Sequence, residues 1–297
     1  MNLDTFIEEH QLPSDYRAYT QHWFAPLAKR LTEHLTARHQ FSGKPYIVGI
    51  NGCQGSGKST LTALLCHLLE AEGLRSASFS LDDVYLTHSE RQVLGQTIHP
   101  LLATRGVPGT HDIHLALETL KNLTQTSGHT SLPRFDKSTD DRAPQTSWPD
   151  IQLPVDLIIL EGWCLGSTPE EAANLETPIN TLESQEDTQG HWRHYVNQQL
   201  QAHYLSLWEH VDYWIMLKAP SFDCVFQWRL EQENKLRQKL QREGKPTNNL
   251  MDSKAIQRFI QHYERITRHT LLTLPAKANE VFELDEQRQI TRHRLRE

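Results

Sequence analysis

YIVGINGCQGSGKST, residues 46–60, carries an apolar run straight into GCQGSGKS at 52–59, an unbroken G-x-x-x-x-G-K-[ST]. The apolar run predicts a buried strand, and the leucines of 60–69 recur at helical spacing. A strand, a glycine loop and a helix in that order place backbone N–H groups and a helix N-terminus around a common point, which is an anion cradle. Gly52, Cys53, Gln54, Gly55, Ser56, Gly57, Lys58, Ser59 and Thr60 form the candidate nucleotide-binding set. Lys58 reaches the outer phosphates, and the Ser59 hydroxyl is a ligand for Mg²⁺. A glycine turn with no ligand is the bland alternative, and the strand and helix on either side argue against it.

Outward from the loop, short apolar runs alternate with longer amphipathic ones. The runs are 46–51, 77–81, 155–160, 213–217 and 281–284, with a leucine-rich helix at 114–123 among the segments between them. This alternation predicts βαβ units: an α/β fold of the P-loop NTPase class, its mostly parallel sheet flanked by helices. Residues 1–45 read as a helical N-terminal extension ending near Gly43 and Pro45, with the phosphate-loop domain over 46–297. Ligands of such sheets bind at the C-terminal ends of the strands, so Lys58, Asp82, Asp83 and Glu161 should converge.

Composition narrows the function. The chain has 297 residues, 37% of them hydrophobic, enough for a substantial core. No run approaches a membrane span and the first residues, MNLDTFIEEHQL, are acidic, so a cytoplasmic location is expected and a membrane partner is not. A net charge of −7 disfavours a sequence-independent hold on nucleic acid and favours a small-molecule partner. Cys53, Cys66, Cys164 and Cys224 are too dispersed for a C-x-x-C pair. Cys53, close to Lys58 and a helix N-terminus, sits where a thiolate would be favoured, but a tolerated small residue is the preferred reading. The 17 histidines show no metal-ligand spacing, and nearly all of them read as surface residues.

Acceptor-side chemistry lies downstream. The strand at 77–81 runs into Asp82-Asp83-Val84-Tyr85; one carboxylate can deprotonate a hydroxyl while the other holds a metal water or a substrate hydroxyl, unless they only cap a helix. Glu161, an acid directly after an apolar strand, is placed to organise Mg²⁺ with Ser59. RGVPGTHD at 105–112 and PRFDKSTDDR at 133–142 are loops dense in acid and base. There His111 and Asp112 would bond hydroxyls, and Arg105, Arg134, Lys137 or Arg142 would clamp a carboxylate; a surface ion-pair network is the alternative. A helix over 221–244, opened by Ser221 and closed by Gly244 and Pro246, puts Arg229, Glu233 and Arg237 on one face. It reads as a lid delivering arginines to a transferring phosphoryl group. The stretch 166–190 is acidic and turn-rich and reads as a surface excursion without chemistry.

Several blocks together resemble the D-glycerate 3-kinase family, within the wider set of uridine, pantothenate and phosphoribulose kinases. They are GCQGSGKST, SLDDVYLT from Ser80, RGVPGTHD, LPRFDKS from Leu132, DRAPQTSWP from Asp141, IILEGWCLG from Ile158 and WRLEQENKLRQ from Trp228. The resemblance covers roughly residues 46–275 and implies Mg-ATP-dependent transfer to a small hydroxy acid. It implies that Asp82 is the catalytic base, Tyr85 borders the acceptor, Asp112 binds its hydroxyls, and Arg229 and Arg237 belong to the lid. Asp83, Arg105, His111 and Arg142 complete the candidate acceptor site. Val84, where the family usually has Phe, and Leu81, for Ile, are departures that would alter pocket shape. Two rivals remain at this level: a regulatory ATP-binding protein, and a nucleoside or pantothenate-type kinase in which Tyr85 and Phe135 would stack on a base.

Overall fold

Alternation along each strand sends side chains to opposite faces of a sheet, and here both faces are covered. The computed structural model describes residues 3–13, 15–39, 44–244 and 250–296. Its strands are β1 (Tyr46–Gly52), β2 (Ser76–Ser80), β3 (Gly128–Ser131), β4 (Phe135–Asp136), β5 (Asp141–Arg142), β6 (Asp150–Leu153), β7 (Leu157–Gly162), β8 (Tyr213–Lys218), β9 (Glu280–Leu284) and β10 (Ile290–Leu295). Six of them form one sheet in the order β10-β9-β8-β1-β7-β2, parallel except for the β9/β10 hairpin. The remaining four make two small antiparallel pairs, β3 with β6 and β4 with β5.

In β1, Tyr46, Val48 and Ile50 enter one core and Ile47 the other. In β7, Leu157 and Ile159 divide from Ile158 and Leu160 in the same way. Each fully buried aliphatic side chain contributes about 1.5–3 kcal/mol, so these two strands anchor both layers. All five apolar runs of the sequence become strands of the main sheet. β10, ITRHRL, has too few apolar residues to announce itself; it is an antiparallel edge strand with mostly uncovered side chains.

Helices Leu3–Glu9, Tyr16–Tyr19 and Ala25–His39, with a π-helical turn at Thr20–Phe24, precede the sheet. Leu27, Leu31 and Leu35 enter the same core as β1 and the helix Lys58–Ala71. Arg30 adds a bidentate pair, Nε and Nη2 donating to Glu280 at 2.8 and 2.7 Å, which ties this helix to β9. Gly43 and Pro246, read as helix stops, lie outside the described residues. Among those residues no helix is long and apolar enough to cross a membrane.

The stretch 166–190 departs from its reading as a plain surface excursion. Glu183 and Asp187 are buried in it: Arg265 Nε and Nη2 donate to Glu183 at 2.8 and 2.6 Å, and Arg193 Nη1 donates to Asp187 at 2.9 Å. Arg265 lies 82 positions beyond Glu183, so the acidic composition gave no sign of its countercharge. Removing one partner of a buried pair strands the other. Arg265→Met is expected to lower unfolding free energy in urea by about 3–5 kcal/mol, and adding Glu183→Leu to restore much of it. Equal losses in the single and double variants would show that the pair does not anchor the segment.

Candidate active site

The phosphate loop joins β1 to the helix Lys58–Ala71, whose first three residues are Lys58, Ser59 and Thr60. Gly55 and Gly57 take φ of +80° and +92°, a region closed to most L residues. A Cβ on Gly55 would stand 2.6 Å from the Trp228 Cβ, so this glycine also admits a helix against the loop. Register brings the distant acid to the loop: Glu161 pairs with Ile50, two residues before the end of β1, and with Ser80, the last residue of β2. Ser59 Oγ donates to Glu161 Oε1 at 2.8 Å, and Lys58 Nζ lies 3.8 Å from Oε2. Gly162 lets Leu81 pack against the end of β7, where a Cβ would meet the Leu81 Cδ1 at 2.7 Å.

Glu161 Oε2 and Ser56 Oγ are buried without a hydrogen-bond partner. The unpartnered Glu161 oxygen and the Ser59 hydroxyl bonded to the same carboxylate make a hard-oxygen donor set that fits Mg²⁺. Cys53 corrects the thiolate reading: burial pushes its thiol up to about 12, against the smaller opposing pull of Lys58.

After β2 the chain makes a 3₁₀ turn, Leu81–Asp83, that separates the two acids by role. Ser80 Oγ accepts from the Asp82 N–H at 3.1 Å, while Asp83 Oδ2 accepts from the Ser80 N–H at 3.0 Å and lies 3.4 Å from Arg134 Nη1. Asp83, read as a substrate contact, is therefore engaged in a capping box. Asp82 is not: Tyr85 Oη donates to its Oδ1 at 2.8 Å and Lys137 Nζ to its Oδ2 at 2.7 Å. Burial opposes its charge, but Lys137 and Lys58 overcome it and hold the Asp82 carboxyl well below the usual carboxylate range. Lys58 shows the mirror image, its ammonium raised by Glu161 and Asp82 in spite of burial.

The two acceptor-side loops meet here, and their charges are mostly paired. Arg105 Nη1 bonds Asp140, which also receives the fully buried Arg91 at 3.0 Å. Arg142 Nη2 donates to Asp112 Oδ2 at 3.0 Å and to the Tyr85 carbonyl at 3.1 Å. Asp112 Oδ1 accepts from the Leu115 N–H at 2.9 Å, capping the helix Ile113–Leu123. Arg105, Asp112 and Arg142 thus shape the loop wall, and both oxygens of Asp112 are engaged.

His111, one of the acceptor-loop candidates, is buried, its ring stacked on Tyr85 at 4.6 Å between centroids. Its Nδ1 is 2.7 Å from Tyr204 Oη, which also accepts from the Gly109 N–H at 3.0 Å. Burial lowers the imidazole to about 4, so it is neutral. His262 is a second buried histidine, lowered by burial to about 4. Tyr85 and Phe135, named for base stacking, instead meet each other edge-on at 5.2 Å and are buried. Val84 and Leu81 are fully buried in the core and do not line a pocket.

Sequence reasoning missed Arg91, Tyr204 and Tyr263. Tyr263 Oη donates to the Arg105 carbonyl at 3.2 Å. Tyr204 ends a π-helical turn, Leu200–Tyr204, and no local pattern marked these three residues.

The helix read as a lid spans Asp223–Arg242, with Ser221 Oγ accepting from the Asp223 N–H at 3.2 Å. Through Trp228 it rests on Gly55. Arg229, one residue further, pairs with Glu233 at 2.8 Å and lies over the Phe259 ring at 5.9 Å. The structure separates Arg237 from it: nine residues beyond Trp228, about 13 Å along a helix, its Nη2 donates to the Met251 carbonyl at 3.3 Å.

No protein-family model matches the chain. The chain is 31% identical over 248 residues to the chloroplastic D-glycerate 3-kinase of Arabidopsis thaliana, an alignment covering 78% of this chain and 52% of that protein. It thus spans about half the length of that relative. It is 34% identical over 209 residues to a protein of Saccharomyces cerevisiae named a probable ATP-dependent kinase, covering 65% of this chain and 68% of that one. Its fold matches D-glycerate 3-kinase from Cryptococcus neoformans with a TM-score of 0.74 at 28% identity, over 91% of this chain and 98% of that one. With its phosphate loop, mostly parallel sheet and these relatives, the chain belongs to the D-glycerate 3-kinase family of P-loop kinases.

Proposed function

We propose that this protein transfers the γ-phosphoryl group of ATP to a primary hydroxyl of a small hydroxy acid, with D-glycerate the first choice and 3-phosphoglycerate the product. The observation that carries the reading is Asp82: an ionised carboxylate beside the phosphate loop, oriented by Tyr85 and free of the capping duty that Asp83 performs. The acceptor hydroxyl hydrogen-bonds Asp82, which takes its proton as the oxygen attacks the γ-phosphorus and the bond to the β-phosphate oxygen breaks. A low-pKa carboxylate suits this chemistry, because in a loose transition state the hydroxyl proton leaves late and the base acts mainly by orientation.

Lys58 and the loop N–H groups hold the phosphates. Ser59 and Glu161 would hold Mg²⁺, which supplies charge neutralisation at the β- and γ-oxygens when bound. The capping role falls to Arg229, beside the loop-packing Trp228, and not to Arg237. The nucleoside alternative loses support because Tyr85 and Phe135 are buried against protein. A regulatory ATP-binding protein has no use for an ionised, oriented acid at this position.

ADP release is expected with D-glycerate and not with pantothenate, uridine, ribulose 5-phosphate or glycerol; no stimulation by D-glycerate sinks the substrate assignment. Asp82→Asn should retain ATP binding and lose transfer by about 10²–10⁴-fold. Near-normal turnover would move the base elsewhere.

The pH response is expected to separate chemistry from folding. Asp82 stays ionised through the working range because its folded pKa is depressed; the stability it contributes is lost only below the ordinary carboxylate pKa. His111 and His262 resist protonation down to about 4, whereas in the unfolded chain they bind protons near 6.5, so stability falls as pH drops through that window. The loss is about 3 kcal/mol for each histidine. Urea midpoints at pH 7 and 4.5, compared with initial rates at both, should show unfolding and not Asp82 protonation as the cause of acid inactivation. A rate that falls while the midpoint holds would refute this.

A further inference from the structure

Four cations of the loop at 133–142 and its neighbour were candidates for an acceptor carboxylate: Arg105, Arg134, Lys137 and Arg142. Three are paired with acids that themselves hold the fold: Asp140, shared with buried Arg91; Asp83, which caps Ser80; and Asp112, which caps the helix Ile113–Leu123. Lys137 differs in partner and in freedom. Its amine is on Asp82, and its side chain is 58% exposed. It stands in the turn between β4 and β5, whose backbone is braced by Asp136 Oδ1 accepting from the Ser138 N–H at 2.8 Å and from Ser138 Oγ at 2.6 Å. A firm turn therefore carries a mobile tip.

Both oxygens of Asp82 are engaged, Oδ1 by the buried Tyr85 and Oδ2 by Lys137. The oxygen open to an acceptor hydroxyl is the one that Lys137 holds. We propose that Lys137 is the specificity-determining residue for an anionic acceptor, its ammonium turning from Asp82 Oδ2 to the acceptor's carboxylate as the acceptor hydroxyl takes its place on Asp82. Lys137 is the exposed member of the pair, and Lys58 stays to favour the charged Asp82 when Lys137 turns away. Three donors on one compact ammonium let it change partners without a change of backbone. A carboxylate acceptor restores the lost pairing, whereas a neutral polyol leaves the ammonium without a partner.

This inference rests on the phosphotransfer reading, and the experiment separates the two. Binding of D-glycerate and of glycerol is measured by calorimetry in the presence of a non-hydrolysable ATP analogue and Mg²⁺, for the wild type, Lys137→Met and Lys137→Arg. Lys137→Met is expected to weaken D-glycerate at least about tenfold, the scale of one charge-assisted contact, with Lys137→Arg intermediate. Binding of the ATP analogue should be unchanged, and glycerol should shift less than about twofold. In turnover the KM for D-glycerate should rise more than kcat falls. Equal weakening of both acceptors, or D-glycerate binding unaffected by Lys137→Met, overturns the role of Lys137 while leaving the kinase reading intact. A wild type that binds ATP but neither binds nor phosphorylates any carboxylate acceptor overturns both.

Discussion

Lys58 lies between two carboxylates, Glu161 and Asp82, in a crevice that buries Glu161 and half-buries the other two. An isolated buried charge is unfavourable by several kcal/mol, and a mutually compensating set is tolerable only if the groups are held at contact distance. The sheet register supplies that constraint. Pairing of β1 with β7, and of β7 with β2, brings Glu161 level with the last turns before the phosphate loop and before Asp82. A one-residue slip would turn Glu161 to the other face of the sheet and leave Lys58 without its countercharge. The alternating apolar residues of β1 and β7, divided between two cores, prevent such a slip. Core packing and catalytic electrostatics are thus two consequences of one register.

Around this crevice the loops at 105–112 and 133–142 form a shell in which nearly every charged group is paired. Arg91 shows why: fully buried, it bonds the Leu86 and Ala103 carbonyls and Asp140, and so fastens the 133–142 loop to the helix that carries it, while Arg105 joins the other loop through the same Asp140. Tyr263 and Trp163 fasten the 105–112 loop from beneath, through the carbonyls of Arg105 and Gly106. Rigidity of this kind leaves few side chains able to respond to an acceptor. Lys137, exposed and joined to Asp82, is the departure from it, just as Arg229 is the one arginine of the lid helix adjacent to the residue that packs on the loop.

Much of this was legible in the residues themselves. Gly55, Gly57 and Lys58 declare a phosphate cradle because the backbone geometry that binds phosphate is local. Glu161 and Asp82 were legible because an acid directly after an apolar strand falls at the strand's C-terminal end, where this fold class binds ligands. The roles of Asp83 and Asp112 were not settled, since an acid near a turn serves equally as a cap or as a ligand until its hydrogen-bond donors are known. His111 was found by its loop but its burial was not legible, because that depends on Tyr85 and on Tyr204, 93 positions away.

The sequence by itself determined the fold class, the phosphate loop and the presence of acids beside it, because periodicity and glycine conformation act over a few residues. The tertiary structure alone decided which acid is spared capping, which cations are committed and which arginine adjoins the residue packed on the loop, because those outcomes depend on desolvation and on countercharges contributed by distant segments. For Asp82 the deciding neighbour is Lys137, 55 positions later in the chain. Its ionisation is a property of the packed loops, and no window of sequence around Asp82 contains it.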